Sequence, residues 1–206
     1  MTAVVDPQGT GHVATLLGVR TVGRRVALEG LSFRHMPALH AVVTSPQLAD
    51  GWPLLGNPVA EHELAAYLGE LSHIQFAIVR RDSREPIGLI QAIDEDPRSA
   101  TLDVALVIGE PLWRAGWPLE ALLLFVDFLF RGLGYRKLYF SMSATVLRRL
   151  GPRIGELLTL ECTLTKHVRV GNGYDDLSIF SLRRDQLDPV LIATITGDRT
   201  VTRPTG

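Results

Sequence analysis

The sequence predicts an α+β fold, a sheet flanked by helices, and three observations predict it. Leu102–Ile108 is a run of Val, Leu and Ile around Asp103, the composition of a strand buried on both faces. A strongly apolar helix follows from Pro118 to about Leu133, and a second strand runs Lys137–Ser141. Upstream, residues 74–80 and 86–93 alternate or run apolar, and Asp82-Ser83-Arg84-Glu85 between them suits a hairpin turn.

Taken in order, 24–32 reads as a first strand, and Arg34-His35-Met36-Pro37 leads into a helix ending near Val43. Residues 45–58 hold Trp52 among Pro46, Gly51, Pro53 and Gly56 and read as a loop. Glu61–Leu71 is amphipathic, with Leu64, Ala65, Leu68 and Leu71 at helical spacing. Proline near the start of the 118–133 helix fits because its missing N–H would be unpaired there, and Gly132 and Gly134 suit the helix end. The tight loop 110–117 joins the Leu102–Ile108 strand to that helix start. Such a turn offers free backbone N–H groups and a positive dipole end to an anion.

The 206 residues suffice for one domain with a full core. Hydrophobic content of 46% with 21% charged residues is that of an ordinary soluble globular chain. A net charge of −1 gives no general attraction to nucleic acid or acidic membranes, so neither is an expected partner. The N-terminus has no basic start followed by an apolar run, and the longest apolar run, 121–130, is broken by Asp127 and too short to span a bilayer. A cytoplasmic protein is expected. The single cysteine, Cys162, excludes an internal disulfide framework, and it is expected as a small buried hydrophobe within a strand. No histidine spacing demands a metal.

Leu112-Trp113-Arg114-Ala115-Gly116-Trp117-Pro118-Leu119-Glu120-Ala121 resembles the acetyl-CoA loop of the GNAT superfamily of N-acetyltransferases, in the branch of the ribosomal-protein N-terminal acetyltransferases; Trp113, Gly116, Glu120 and Ala121 match. Glu85–Ile90 resembles the strand that precedes the loop. Leu160–Arg169, Gly173–Asp176 and Ile179–Leu182 resemble the final hairpin. The resemblance implies a mixed, mostly antiparallel sheet with helices on both faces and a cleft where the fourth and fifth strands splay apart. It implies a catalytic domain over 23–185, with extensions at 1–22 and 186–206. It also implies acetyl-CoA, or another acyl-CoA, as co-substrate, its pantetheine pairing with strand backbone like an added strand. The implied lining is Val107, Ile108 and Gly109 on one side and Phe140 and Ser141 on the other, with Trp113, Arg114, Ala115, Gly116, Trp117 and Pro118 around the pyrophosphate.

Two departures stand out. Arg114 and Pro118 replace smaller residues of the family loop, trading a backbone N–H for a strong phosphate partner. The 144–158 segment also lacks the family's asparagine and tyrosine, which leaves a hydroxyl such as Ser141 or Ser143, or water, to protonate the leaving thiolate.

The implied reaction, aminolysis of a thioester, needs a proton acceptor for the amine and support for an oxyanion. Asp103 and Glu110 are the candidate carboxylates and Ser141 the candidate hydroxyl. His35, Trp52 and Tyr174 are candidates for the acceptor site. The expected function is CoA-dependent N-acyl transfer to an amine of a small molecule or a protein N-terminus. The alternatives are a carrier-protein or other donor, and a non-catalytic binding module. Leu187–Ile195 and the Trp52 loop are apolar enough to suggest a homodimer contact.

Overall fold

The structure is a computed structural model of the chain, described here for residues 19–45, 60–72, 74–109, 116–150, 157–188, 192–193 and 197. Eight strands form one sheet: β1 (Arg20–Val22), β2 (Val26–Gly30), β3 (Gln75–Arg80), β4 (Pro86–Asp96), β5 (Thr101–Ile108), β6 (Lys137–Ser143), β7 (Thr159–Val170) and β8 (Gly173–Arg183). Their spatial order is β1-β2-β3-β4-β5-β6-β8-β7, antiparallel throughout except for β5–β6. This is the mixed, mostly antiparallel α+β sheet expected. It begins at Arg20, inside the segment 1–22.

Helices cover both faces. α1 (Met36–Val43) and α2 (Glu61–Leu71) bury Met36, Leu39, Val43, Leu64 and Leu68 against Leu89 and Val107. α3 (Trp117–Asp127) lies on the opposite face, where Ala121, Leu122, Phe125 and Val126 meet Leu102, Val104, Leu138 and Phe140. Alternation along each strand produces the division: Val104 and Leu102 point to α3, Val107 and its face-mates to α1 and α2. A fourth helix, α4 (Ala144–Leu150), follows β6 directly.

The helix expected over 118–133 changes character part-way. Its α-helical hydrogen bonding stops at Asp127, and Phe128–Gly132 forms a wider π-helical turn in which the Leu133 N–H donates to the Phe128 carbonyl at 3.2 Å. Gly132 closes the turn beside the Phe128 ring, where even a Cβ would make only ordinary contact, at 3.4 Å. Gly134, at φ 80°, makes the left-handed exit.

One expectation is overturned. Cys162 is exposed, because β7 is the outermost strand and nearly all of it lies open on both faces. Leu160 and Leu164, its apolar neighbours, are 55% and 37% exposed. An alternating apolar pattern signals a half-buried strand only where a second layer covers one face, and none does so here. Of the C-terminal apolar stretch expected as a subunit contact, two residues are placed. Leu187 packs against the main core and Ile192 is buried within the chain. Trp52, the other residue of that expected contact, lies outside the described residues.

Candidate active site

The parallel pair β5–β6 is joined over only three rungs, Thr101↔Lys137, Leu102↔Leu138 and Asp103↔Tyr139. Beyond Asp103 both strands continue, β5 to Ile108 and β6 to Ser143, without pairing to each other. On its other edge β5 stays paired with β4 from Asp103 to Ile108, and the Gly109 N–H donates to the Ile87 carbonyl at 3.0 Å. Gly88 allows the close approach there, since a Cβ would run into the Val107 carbonyl. The sheet is therefore open on one side of β5 and closed on the other. Val107, Ile108 and Gly109 stand on one bank of the gap, with Phe140 and Ser141 on the other.

At the closed end of the gap two residues meet. Asp103, half-buried, accepts a hydrogen bond from the Ser141 hydroxyl. Burial, with the nearby Asp94 carboxylate adding repulsion, raises the Asp103 pKa above the usual carboxylate range, and the Ser141 bond opposes the rise. Asp103 shares its face with Ala105 and Val107, the face that carries α1 and α2. Opposite Ala105 stands Gln91, only 2% exposed, whose side-chain carbonyl oxygen has no hydrogen-bond partner among the described residues. Gln91 and Asp103 are diagonal neighbours on that face, a Cβ spacing of roughly 7 Å. The sequence reading missed Gln91; strand alternation from Val107 through Ala105 and its partner held the signal.

β6 adds a polar row on the same face. Tyr139 lies in register with Asp103, and Lys137 sits against its ring, the ammonium 4.9 Å from the centroid. The Lys137 ammonium is 2.6 Å from Glu161 Oε1, which also accepts the Ser181 hydroxyl at 2.5 Å. Ser143, the other candidate hydroxyl, caps α4 by accepting the Val146 N–H at 3.2 Å. Asp175 accepts both the Thr145 N–H and hydroxyl, at 2.9 and 3.0 Å, tying the final hairpin to α4.

The start of α3 is fixed against the beginning of β2 and the end of β3. Glu120 is fully buried; Oε1 accepts the Arg25 N–H at 2.7 Å and the Val26 N–H at 3.2 Å, while Oε2 lies 3.0 Å from Arg25 Nε. Arg25 Nη2 donates to the Gly116 carbonyl at 3.4 Å. Gly116, at φ 73°, precedes Trp117 and Pro118 in the first turn, and Trp117 is covered by the Arg80 guanidinium at 4.8 Å. Glu110, Trp113, Arg114 and Ala115 lie outside the described residues. His35 does not reach the gap: it is buried at the start of α1 and lines a cavity at the β1–β2 end of the sheet. Tyr174, 69% exposed, stands beside the β7–β8 turn, and no contact among the described residues brings it to Asp103.

The sheet is thus parted between its parallel strands, with the Asp103 carboxylate and the Ser141 hydroxyl where they part. The family model for the acetyltransferase (GNAT) domain matches residues 25–151, and the chain belongs to the GNAT acetyltransferases, enzymes of N-acyl transfer. Among solved structures, a putative acetyltransferase from T. thermophilus is 25% identical, covering 85% of this chain and 94% of that one with a TM-score of 0.65. A putative ribosomal-protein-serine acetyltransferase from Vibrio cholerae is 16% identical (81% and 98% covered, TM-score 0.59). A spermidine N-acetyltransferase chimera from Vibrio cholerae and hSSAT is 14% identical (79% and 98%, TM-score 0.67). No curated protein sequence matches the chain. No helix among the described residues is long and apolar enough to cross a membrane.

Proposed function

We propose that this enzyme transfers an acyl group, in the first instance acetyl, from acyl-CoA to an amine of a small molecule or a protein N-terminus by direct attack in a ternary complex. The observation that carries the reading is the Asp103–Ser141 pair at the closed end of the parted strands. Val104–Val107 present an edge that β6 does not pair, which suits the amides of a pantetheine arm. Gly116 and the α3 start suit its pyrophosphate. Acyl-CoA supplies the activated thioester. Asp103 takes the proton from the attacking amine, its raised pKa bringing it nearer the working pH of a base. Gln91 offers its unpartnered oxygen to an acceptor N–H, and Ser141 holds a proton for the leaving thiolate.

The test is chromatographic detection of CoA and acylated product, with polyamines, simple amines and peptides with N-terminal serine as acceptors. Transfer should rise with pH through an apparent pKa above the usual carboxylate range. Asp103→Asn should remove that limb and lower kcat by about 10²–10⁴, while Ser141→Ala lowers it by about tenfold. Absence of both turnover and calorimetric binding with acetyl-CoA and longer acyl-CoAs would overturn the reading.

A further inference from the structure

Well away from the parted strands lies a cavity of about 420 Å³ between the β1–β2 edge and the start of α1. β3 and β4 separate Glu29 on its floor from Asp103. Around that one carboxylate stand three guanidiniums: Arg34 Nη2 at 2.7 Å, Arg20 Nε at 3.0 Å and Arg84 Nη1 at 3.9 Å. His35 completes the ring, its Nε2 3.7 Å from Glu29 Oε2. Its Nδ1 accepts the Ser32 N–H, and burial, then the Arg34 charge, lowers its pKa and so favours the neutral ring. The described lining thus holds an excess of two positive charges, with apolar walls from Val19, Val79 and Pro86.

Three cations on one anion repel one another, and each guanidinium has five N–H donors, far more than Glu29 can accept. Arg84 is held in this arrangement by a left-handed backbone, φ 63°, a conformation a long side chain rarely adopts. The side chains of Arg20, Arg34 and Arg84 are 40%, 70% and 64% exposed against 12% for Glu29, so an incoming ligand meets N–H donors at the mouth before the carboxylate. A dianion matches the excess charge, and guanidinium forks match phosphate oxygens. The volume exceeds that of a bare phosphate and leaves room for an organic portion against the apolar walls.

We propose that this cavity is a binding site for a phosphate monoester, separate from the acyl-transfer site. The experiment is calorimetric titration of the full chain with inorganic phosphate and with glycerol phosphate at fixed ionic strength, with chloride as the control. Saturable binding of both is expected, tighter for the ester. Arg34→Ala should weaken it by about tenfold, one charge-assisted contact. Arg84→Gly should do the same while keeping the left-handed backbone, so the test survives if Arg34→Ala folds poorly. Glu29→Gln should tighten binding, because it removes the only opposing charge among the described lining residues and keeps an oxygen for the arginines; a merely structural cluster would not move in that direction. Acyl transfer without phosphate should be unchanged in both arginine variants. Failure to saturate, binding undiminished in both arginine variants, or weakening by Glu29→Gln would overturn the proposal. None of these outcomes bears on acyl transfer itself.

Discussion

The two edges of β5 are made from the same eight residues and behave oppositely. Toward β4 the strand is paired from Thr101 to Ile108, with a break in register between Ile93 and Asp96. Toward β6 it is paired for three residues and then abandoned. The closed edge is what makes the open one possible: β5 keeps its extended shape without β6 because β4, with Gly88 allowing close approach, holds it. The open edge in turn leaves a carboxylate and a hydroxyl beside backbone that β6 does not pair. Rigidity on one side is the condition for openness on the other.

Breaking the anchored side should have the largest effect. Glu120→Ala strips the acceptor from two backbone N–H groups and from Arg25, all in or beside a buried site. A loss of about 3–5 kcal/mol is expected in denaturant unfolding, with CoA affinity falling as the α3 start loosens. A destabilisation below about 1 kcal/mol would show that the clamp is not what holds this side.

Asp103→Asn sharpens the contrast, because stability and activity should move apart. The folded pKa of Asp103 is raised above its unfolded value, so the folded state binds the proton more tightly. Its contribution to stability is fully present at pH below the ordinary carboxylate pKa and is lost as pH rises through the raised one. At neutral pH the asparagine variant should therefore be as stable as wild type or slightly more so, while wild type gains relative to it on acidification through that window. Thermal unfolding at pH 7 and near pH 4 reads this directly, and a neutral-pH loss of stability in the variant would contradict it.

The smallest effect is expected farthest from β5. Cys162 on β7 should react with a thiol reagent in the native protein at nearly the rate of an unfolded chain, since it is exposed and its strand is uncovered. Folding should remain unaffected, and slow labelling would mean that another surface covers β7.

Much of the fold was legible because period-two alternation and apolar helical spacing are imposed by local geometry. The strands at 75–80, 86–96, 101–108 and 137–143 and the helices at 36–43, 61–71 and 117–127 follow from such patterns. What failed depended on neighbours that the pattern does not name. Leu160, Cys162 and Leu164 alternate as a half-buried strand would, yet β7 sits at the rim, where no helix among the described residues covers them. The π-helical turn at Phe128–Gly132 keeps the apolar pattern of a helix while widening its hydrogen bonding, which helical periodicity does not report. In the site, Asp103 and Ser141 could be chosen singly as polar residues in apolar strands. Their meeting required the parallel register that sets Asp103 beside Tyr139. Gln91 was hidden for the opposite reason: an uncharged amide in an apolar strand carries no charge signal, and only its unpartnered oxygen marks it.

The three-rung join between β5 and β6 also sets a time pattern. Successive amides of a strand point to alternate neighbours, so between Val104 and Val107 some N–H groups are locked to β4 while the intervening ones face the gap. Hydrogen exchange along this one strand should alternate between slow and fast from residue to residue. An extended ligand laid in the gap would turn the fast set slow and leave the slow set as it was, so the strand works as its own ruler for what has bound beside it.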